Sequence, residues 1–152
     1  MKSKVLISAI IIVATLSIFN ITVHAQNKSL VYTNIIETEA GSVKEYISVN
    51  SMNKKPVSKK IYKRNKEGYI TEVVIYVWNN RYEWQYKTKF EYVYSESNKI
   101  LSIISTNWDA ANNKWANSAK YMTYNYSENG DIGIKIYNID KSKDIFLTEL
   151  AN

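Results

Sequence analysis

The chain has no cysteine, and its only histidine is His24. Without cysteine there are no disulfides, so an exported form must hold together by burial alone. Beyond His24 the residues for Ser-His-Asp and Cys-His nucleophile systems are missing, as are the usual zinc ligand sets. The side chain that titrates nearest neutrality is missing too. Most common hydrolase mechanisms are therefore excluded. Proline occurs once, at Pro56, and glycine four times, which is not the composition of a linker or a disordered chain. Arginine is confined to Arg64 and Arg81, so the formal charge of +6 is carried by lysine. Lysine is a solvated point charge, whereas phosphate and base recognition favours the arginine fork. Nucleic acid is not an expected partner.

The N-terminus has a recognisable plan. Lys2 and Lys4 precede an apolar run over 5–23, which closes on Val23, His24 and Ala25 before Gln26. A basic start, an apolar middle and small residues before a cut predict a secretory signal peptide over 1–25. The alternative is an uncleaved anchor, since the run approaches the length of a bilayer span. No cysteine follows the run, so lipid attachment at the new terminus is not expected. The remainder, 26–152, suits a single domain. Removing Lys2 and Lys4 from 20 basic residues leaves 18 against 14 acidic, a balance of +4. The expected destination is the periplasm, the cell surface or the medium, with no membrane span after cleavage.

What the chain does have is 13 tyrosines, four tryptophans and a passage that occurs twice. Tyr92, Tyr94, Glu96 and Ile100 recur 32 positions later as Tyr124, Tyr126, Glu128 and Ile132. A tryptophan pair precedes each copy, Trp78 with Trp84 and Trp108 with Trp115. Self-similarity at such a period marks a repeated supersecondary unit. Aromatic and β-branched side chains favour strands. Over 84–94 the alternation has period two: Trp84, Tyr86, Thr88, Phe90, Tyr92 and Tyr94 fall on one face, Gln85, Lys87, Lys89 and Glu91 on the other. Strands are also expected over 30–36, 43–49, 70–78, 100–108 and 132–139. Turns are expected at Ala40-Gly41, Asn79-Asn80, 95–99, 109–113 and 127–131. The turn at 65–68 reads as two residues longer than its later counterparts.

The fold predicted is all-β: an antiparallel meander of repeated hairpins, forming a curled sheet or small sandwich over an aromatic core. Trp84 to Trp115 is 31 positions but Tyr92 to Tyr124 is 32. The extra residue predicts a β-bulge between Trp115 and Met122. The tail over 144–150 reads as strand or short helix.

The motif Trp-Asp-x-x-x-Asn-Lys-Trp, followed by Lys-Tyr-x-x-Tyr-x-Tyr-Ser-Glu-Asn-Gly-Asp-Ile, runs from Trp108 to Ile132. It resembles repeats of small exported Bacteroidetes proteins that are assigned to a domain of unknown function. The resemblance covers most of the chain after Val57 and implies an antiparallel β-repeat fold. It brings no activity and no catalytic residue.

The candidate sites follow from these features. Mid-strand Phe90, Tyr92, Tyr94, Tyr124 and Tyr126 form either a core or an exposed stacking platform; a single domain must bury a face, which favours core. The tryptophans stand at strand ends beside Asn-rich loops. Trp78, Trp84, Trp108 and Trp115 are therefore the expected binding residues, at a rim contacting glycan or an envelope protein. Acids could hydrolyse a glycosidic bond without histidine, with Glu83, Glu91, Glu96, Asp109, Glu128 and Asp131 available. Most of these lie in turns, where carboxylates are usually solvated or bonded to nearby backbone. No dense acidic loop suits calcium, so no metal or cofactor is expected. Polar residues on both faces of 100–108 argue against an outer-membrane barrel. Lys54, Lys55, Lys59, Lys60, Lys63 and Arg64 read as protection for an early or edge strand. The expected function is a non-catalytic binding or surface-interaction module. The alternatives are a small carboxylate-based glycan hydrolase and a purely structural envelope module.

Overall fold

The computed structural model describes residues 29–143; the expectations for 1–25 and 144–150 lie outside them. Among the described residues eight strands follow one another without a helix: β1 (Ser29–Thr38), β2 (Gly41–Asn50), β3 (Pro56–Asn65), β4 (Ile70–Trp78), β5 (Trp84–Tyr94), β6 (Ile100–Asp109), β7 (Lys114–Tyr126) and β8 (Ile132–Asp140). They form one antiparallel sheet in sequence order. β1 and β8 stay unjoined, so the sheet is open. It is the single-sheet form of the expected meander, and neither a sandwich nor a closed barrel.

The turns explain how so little glycine suffices. In 65–69, 79–83, 95–99 and 127–131 the first residue's N–H donates to the fifth residue's carbonyl. The fourth residue's N–H donates back to the first's carbonyl. Side chains cap each turn: Asn65 Oδ1 accepts from Tyr69 N–H, Asn79 Oδ1 from Glu83 N–H, Ser95 Oγ from Lys99 N–H and Ser127 Oγ from Asp131 N–H. The fourth residue lies in the left-handed region every time: Gly68, Tyr82, Asn98 and Gly130, at φ of 85°, 62°, 61° and 87°. This is a three-residue hairpin loop ending in a left-handed residue. The 65–69 turn has the same length as its counterparts. Tyr62 is the counterpart of Tyr92 and not of Tyr94, so the two extra residues expected there belong to the strand. At the β1–β2 turn Gly41 is required, because a Cβ there would collide with the Arg64 carbonyl.

Bulges decide which face each side chain meets. Thr88 pairs with Ile75 but Tyr86 pairs with Tyr76, so Lys87 is an inserted residue in β5. Ile75 and Tyr76 are neighbours and point to opposite faces. The insertion therefore sends Trp84 and Tyr86 to one face and Phe90, Tyr92 and Tyr94 to the other. The single aromatic face expected over 84–94 is thus split in two. In the next hairpin Thr106 pairs with Ala119 and Trp108 with Trp115, so four steps along β7 match two along β6. β7 carries the expected irregularity, between Trp115 and Ala119.

The core lies on the Phe90 face. Val73, Phe90, Ile103, Met122 and Tyr124 are buried there, and Tyr62, Ile70, Ile75, Tyr92, Ile100 and Tyr126 pack against them. Two tyrosines tie strand to strand in the same way. Tyr94 Oη–H donates to the Ile70 carbonyl at 2.8 Å and Tyr126 Oη–H to the Ile100 carbonyl at 2.9 Å. The Tyr124 hydroxyl is buried with no partner among the described residues.

The opposite face curls as well. Lys141, just past β8, donates to Glu91 of β5 at 3.0 Å across the two strands between them. Thr106, Ala119 and Ile139 are buried on that side. The lysines around Pro56 do not guard an edge: β3 lies between β2 and β4. Lys59 and Lys63 there pair with Glu45 and Glu72 at 3.5 and 2.7 Å.

Candidate functional site: an aromatic cleft at the tryptophan end

All four tryptophans stand on the face opposite the core: Trp78, Trp108 and Trp115 by alternation along their strands, and Trp84 because of the inserted Lys87. Trp78 pairs in register with Trp84, and Trp108 with Trp115. Their rings meet edge to face, with centroids 4.9 and 5.1 Å apart. Tyr86 joins the Trp108–Trp115 pair to β4: its ring lies 4.8 Å from Trp108 and 5.2 Å from Trp115. It also lies 4.7 Å from Tyr76. The result is a continuous aromatic stripe across β4 to β7. Such cross-strand aromatic pairs hold a sheet locally rigid and keep the rings in place. All four tryptophans are half-buried, and Tyr86, at 41% exposure, is the most open ring of the stripe.

Lysines flank the stripe. Lys59 Nζ stands 4.6 Å from the Tyr76 ring centre and 5.2 Å from that of Trp84; Lys89 Nζ stands 5.4 Å from Trp115. An ammonium over a ring face is attracted by the ring's quadrupole. Lys89 is also held by Glu91, which accepts from Lys141 as well. Burial pushes the Glu91 carboxyl up, but hydrogen bonds from Lys141 and Lys89 outweigh it and leave it below its usual value. Burial first, then a hydrogen bond with Tyr86, push the Tyr76 phenol up to about 12.

Beside the stripe opens a cleft of about 710 Å³, walled by the 79–83 turn and the loop after β6. Trp84, Tyr86 and Trp108 supply its apolar surface. Asn79, Asn80, Gln85 and Asn113 supply amides, and Arg81 and Glu83 one charge of each sign. Both loops are fixed from within. Asn79 Oδ1 accepts from Arg81 N–H, and Asn79 Nδ2 donates to Glu83 Oε1 at 3.1 Å. Asp109 accepts from the N–H groups of Ala111 and Asn112 and from Asn112 Nδ2, whose bonds hold its carboxyl below the usual range.

Of the expected binding residues, Trp84 and Trp108 line the cleft, while Trp78 and Trp115 support them from behind through ring contacts. Tyr86, Arg81 and the amides are site residues that the sequence did not point to. Strict alternation placed Tyr86 on the same face as Phe90, Tyr92 and Tyr94, and only the inserted Lys87 reverses that. Among the cleft-lining residues Glu83 is the one carboxylate, so the acid pair required for hydrolysis is not assembled there. Glu96 and Glu128 lie in turns at the other end of the strands.

No protein-family model matches the chain, and no curated protein matches it. Two solved structures are similar to it. One is a DUF3836 family protein from Parabacteroides distasonis, 12% identical, with a TM-score of 0.42 over 76% of this chain and 94% of that one. The other is a DUF3836 family protein from Bacteroides vulgatus, 16% identical, with a TM-score of 0.35 over 72% of this chain and 98% of that one. Overlap at that level bears on neither the fold nor the site described above.

Proposed function

We propose that this domain is a non-catalytic glycan-binding module and that the aromatic cleft is its site. The observation that carries the reading is the pairing of Trp84, Tyr86 and Trp108 with four amide side chains in one open cleft. A sugar ring has an apolar face of C–H groups and a rim of hydroxyls. Aromatic rings take up the first, and amide donors and acceptors satisfy the second. A pocket of this size, with three aromatic side chains among convergent polar groups, suits a small oligomeric ligand. The expected export of the chain would put it where such polymers are found.

The test is titration of tryptophan fluorescence with xylo-, cello- and chito-oligosaccharides. One of these series is expected to bind, and Trp108→Ala to weaken that binding at least about thirtyfold, the effect of losing a buried aromatic anchor. Unchanged affinity in Trp108→Ala, with the fold intact by circular dichroism, would exclude the cleft.

A structural envelope module is supported by a different observation. β1 is an edge strand of ten residues with no lysine, no proline and no register shift. Leu30, Val31, Tyr32, Ile35 and Ile36 are exposed along it. Edges of that kind are usually blunted, so its expected occupant is the edge of a second copy. Sedimentation from micromolar to submillimolar concentration separates the two readings. Mass that grows with concentration favours the structural module, and a monomer throughout removes it.

A further inference from the structure

Four turns of this sheet share one hydrogen-bonding plan, and each puts its fourth residue in the left-handed region. Three use residues that tolerate that backbone, Gly68, Asn98 and Gly130. The fourth uses Tyr82, at φ of 62°. A bulky residue there is a true outlier. The turn's hydrogen bonds hold its backbone, but its side chain is 75% exposed. Among the described residues its ring meets no other ring and its hydroxyl no partner. Its two neighbours, Arg81 and Glu83, both line the cleft. An aromatic side chain held at a cost to the fold, largely exposed and placed beside a cleft, is accounted for by a contact outside the molecule.

We infer that Tyr82 is an outer stacking residue for a linear oligosaccharide that extends beyond the cleft, an inference that rests on the glycan reading above. Trp84, Tyr86 and Trp108 hold the sugar units within the cleft, and Tyr82 holds a unit past its mouth. The exposed Arg81, which forms no ion pair among the described residues, stands next to it as a donor to hydroxyl or carboxylate oxygens. The site therefore discriminates by chain length. Short saccharides engage the cleft alone, and long ones engage Tyr82 as well.

The experiment compares the parent with Tyr82→Gly and Tyr82→Trp by thermal melting and by titration with the disaccharide and hexasaccharide of whichever series binds among xylo-, cello- and chito-oligosaccharides. Tyr82→Gly is expected to melt about 2–5 °C higher, because the strained backbone is relieved. It is expected to bind the hexasaccharide about tenfold more weakly and the disaccharide unchanged. Tyr82→Trp is expected to keep the preference for length. Equal hexasaccharide affinity in the parent and Tyr82→Gly overturns the outer contact and leaves the cleft reading standing. A lower melting temperature for Tyr82→Gly also overturns it, since the ring would then be serving the fold. If no series binds the parent, the glycan reading falls and the sugar contact falls with it. A higher melting temperature for Tyr82→Gly in that case separates a wrong ligand class from a wrong account of the strain.

Discussion

Ile103→Ala will lower the free energy of unfolding by about 3 kcal/mol, the usual cost of emptying a buried isoleucine site. Ile103 is 2% exposed and stands between Tyr92 on β5 and Met122 on β7. It is the central residue of the core, and among the described residues no second sheet lies behind the strands to close over a hole. A domain of this size is stable by only about 5–15 kcal/mol, so the loss is a large share of the total. The midpoint of thermal unfolding should fall by roughly 10 °C. Leu101, two residues away, is the control. It is 45% exposed at the β5–β6 irregularity, and Leu101→Ala should change stability by about 0.5 kcal/mol or less. Equal effects at the two positions would mean that burial on this sheet is not centred where the core cluster lies.

Alkaline pH will unfold the domain, and tyrosines will set the threshold. Burial is the main cause that pushes up the phenols of Tyr62, Tyr92, Tyr94, Tyr124 and Tyr126. Tyr76 is pushed up to about 12 on the opposite face. In the unfolded chain these groups ionise near their ordinary value of 10.0. Above that pH the folded state holds more protons than the unfolded state, so stability falls as pH rises. Their contribution is fully present below pH 10.0 and is lost as pH climbs through the raised values. Thermal melts should be flat below that point and fall steeply above it. Tyrosinate absorbance should appear together with the loss of circular dichroism. Tyr92→Phe should shift the threshold upward. Tyr124→Phe should do so without cost at neutral pH, because the hydroxyl it removes has no partner among the described residues. Smooth titration of every tyrosine in a chain that stays folded would contradict this account.

Much of the fold was legible in the residues. The bounds of β4 and β5 follow from isoleucine-to-tryptophan spacing and from alternation, and the turns follow from Asn, Ser and Gly. The irregularity in β7 was legible from two spacings that differ by one. The insertion at Lys87 was not, because the alternation of 84–94 runs through it unbroken. An inserted residue leaves no trace when the residues on either side suit both faces: Tyr86 and Phe90 are equally at home in a core or in a stripe. The site was legible only as four tryptophans. Trp84 and Trp108 line the cleft, but Tyr86 reaches it only through the reversal of faces. The cleft's polar residues reach it through capped loops, and their composition alone resembles any solvated turn.

The strict sequence order of the strands also shapes how the chain folds. Every pairing in the sheet joins neighbours along the chain, so no strand waits for a distant partner to be brought back across a long loop. Each hairpin can form alone and then template the next, in the manner of a zipper. Such a sheet opens from its ends inward. β1 and β8, exposed along nearly their whole length, have the lowest opening free energy, and β4 to β7 the highest. The aromatic stripe is built entirely on those four strands, so it would be the last surface to disappear as the protein comes apart.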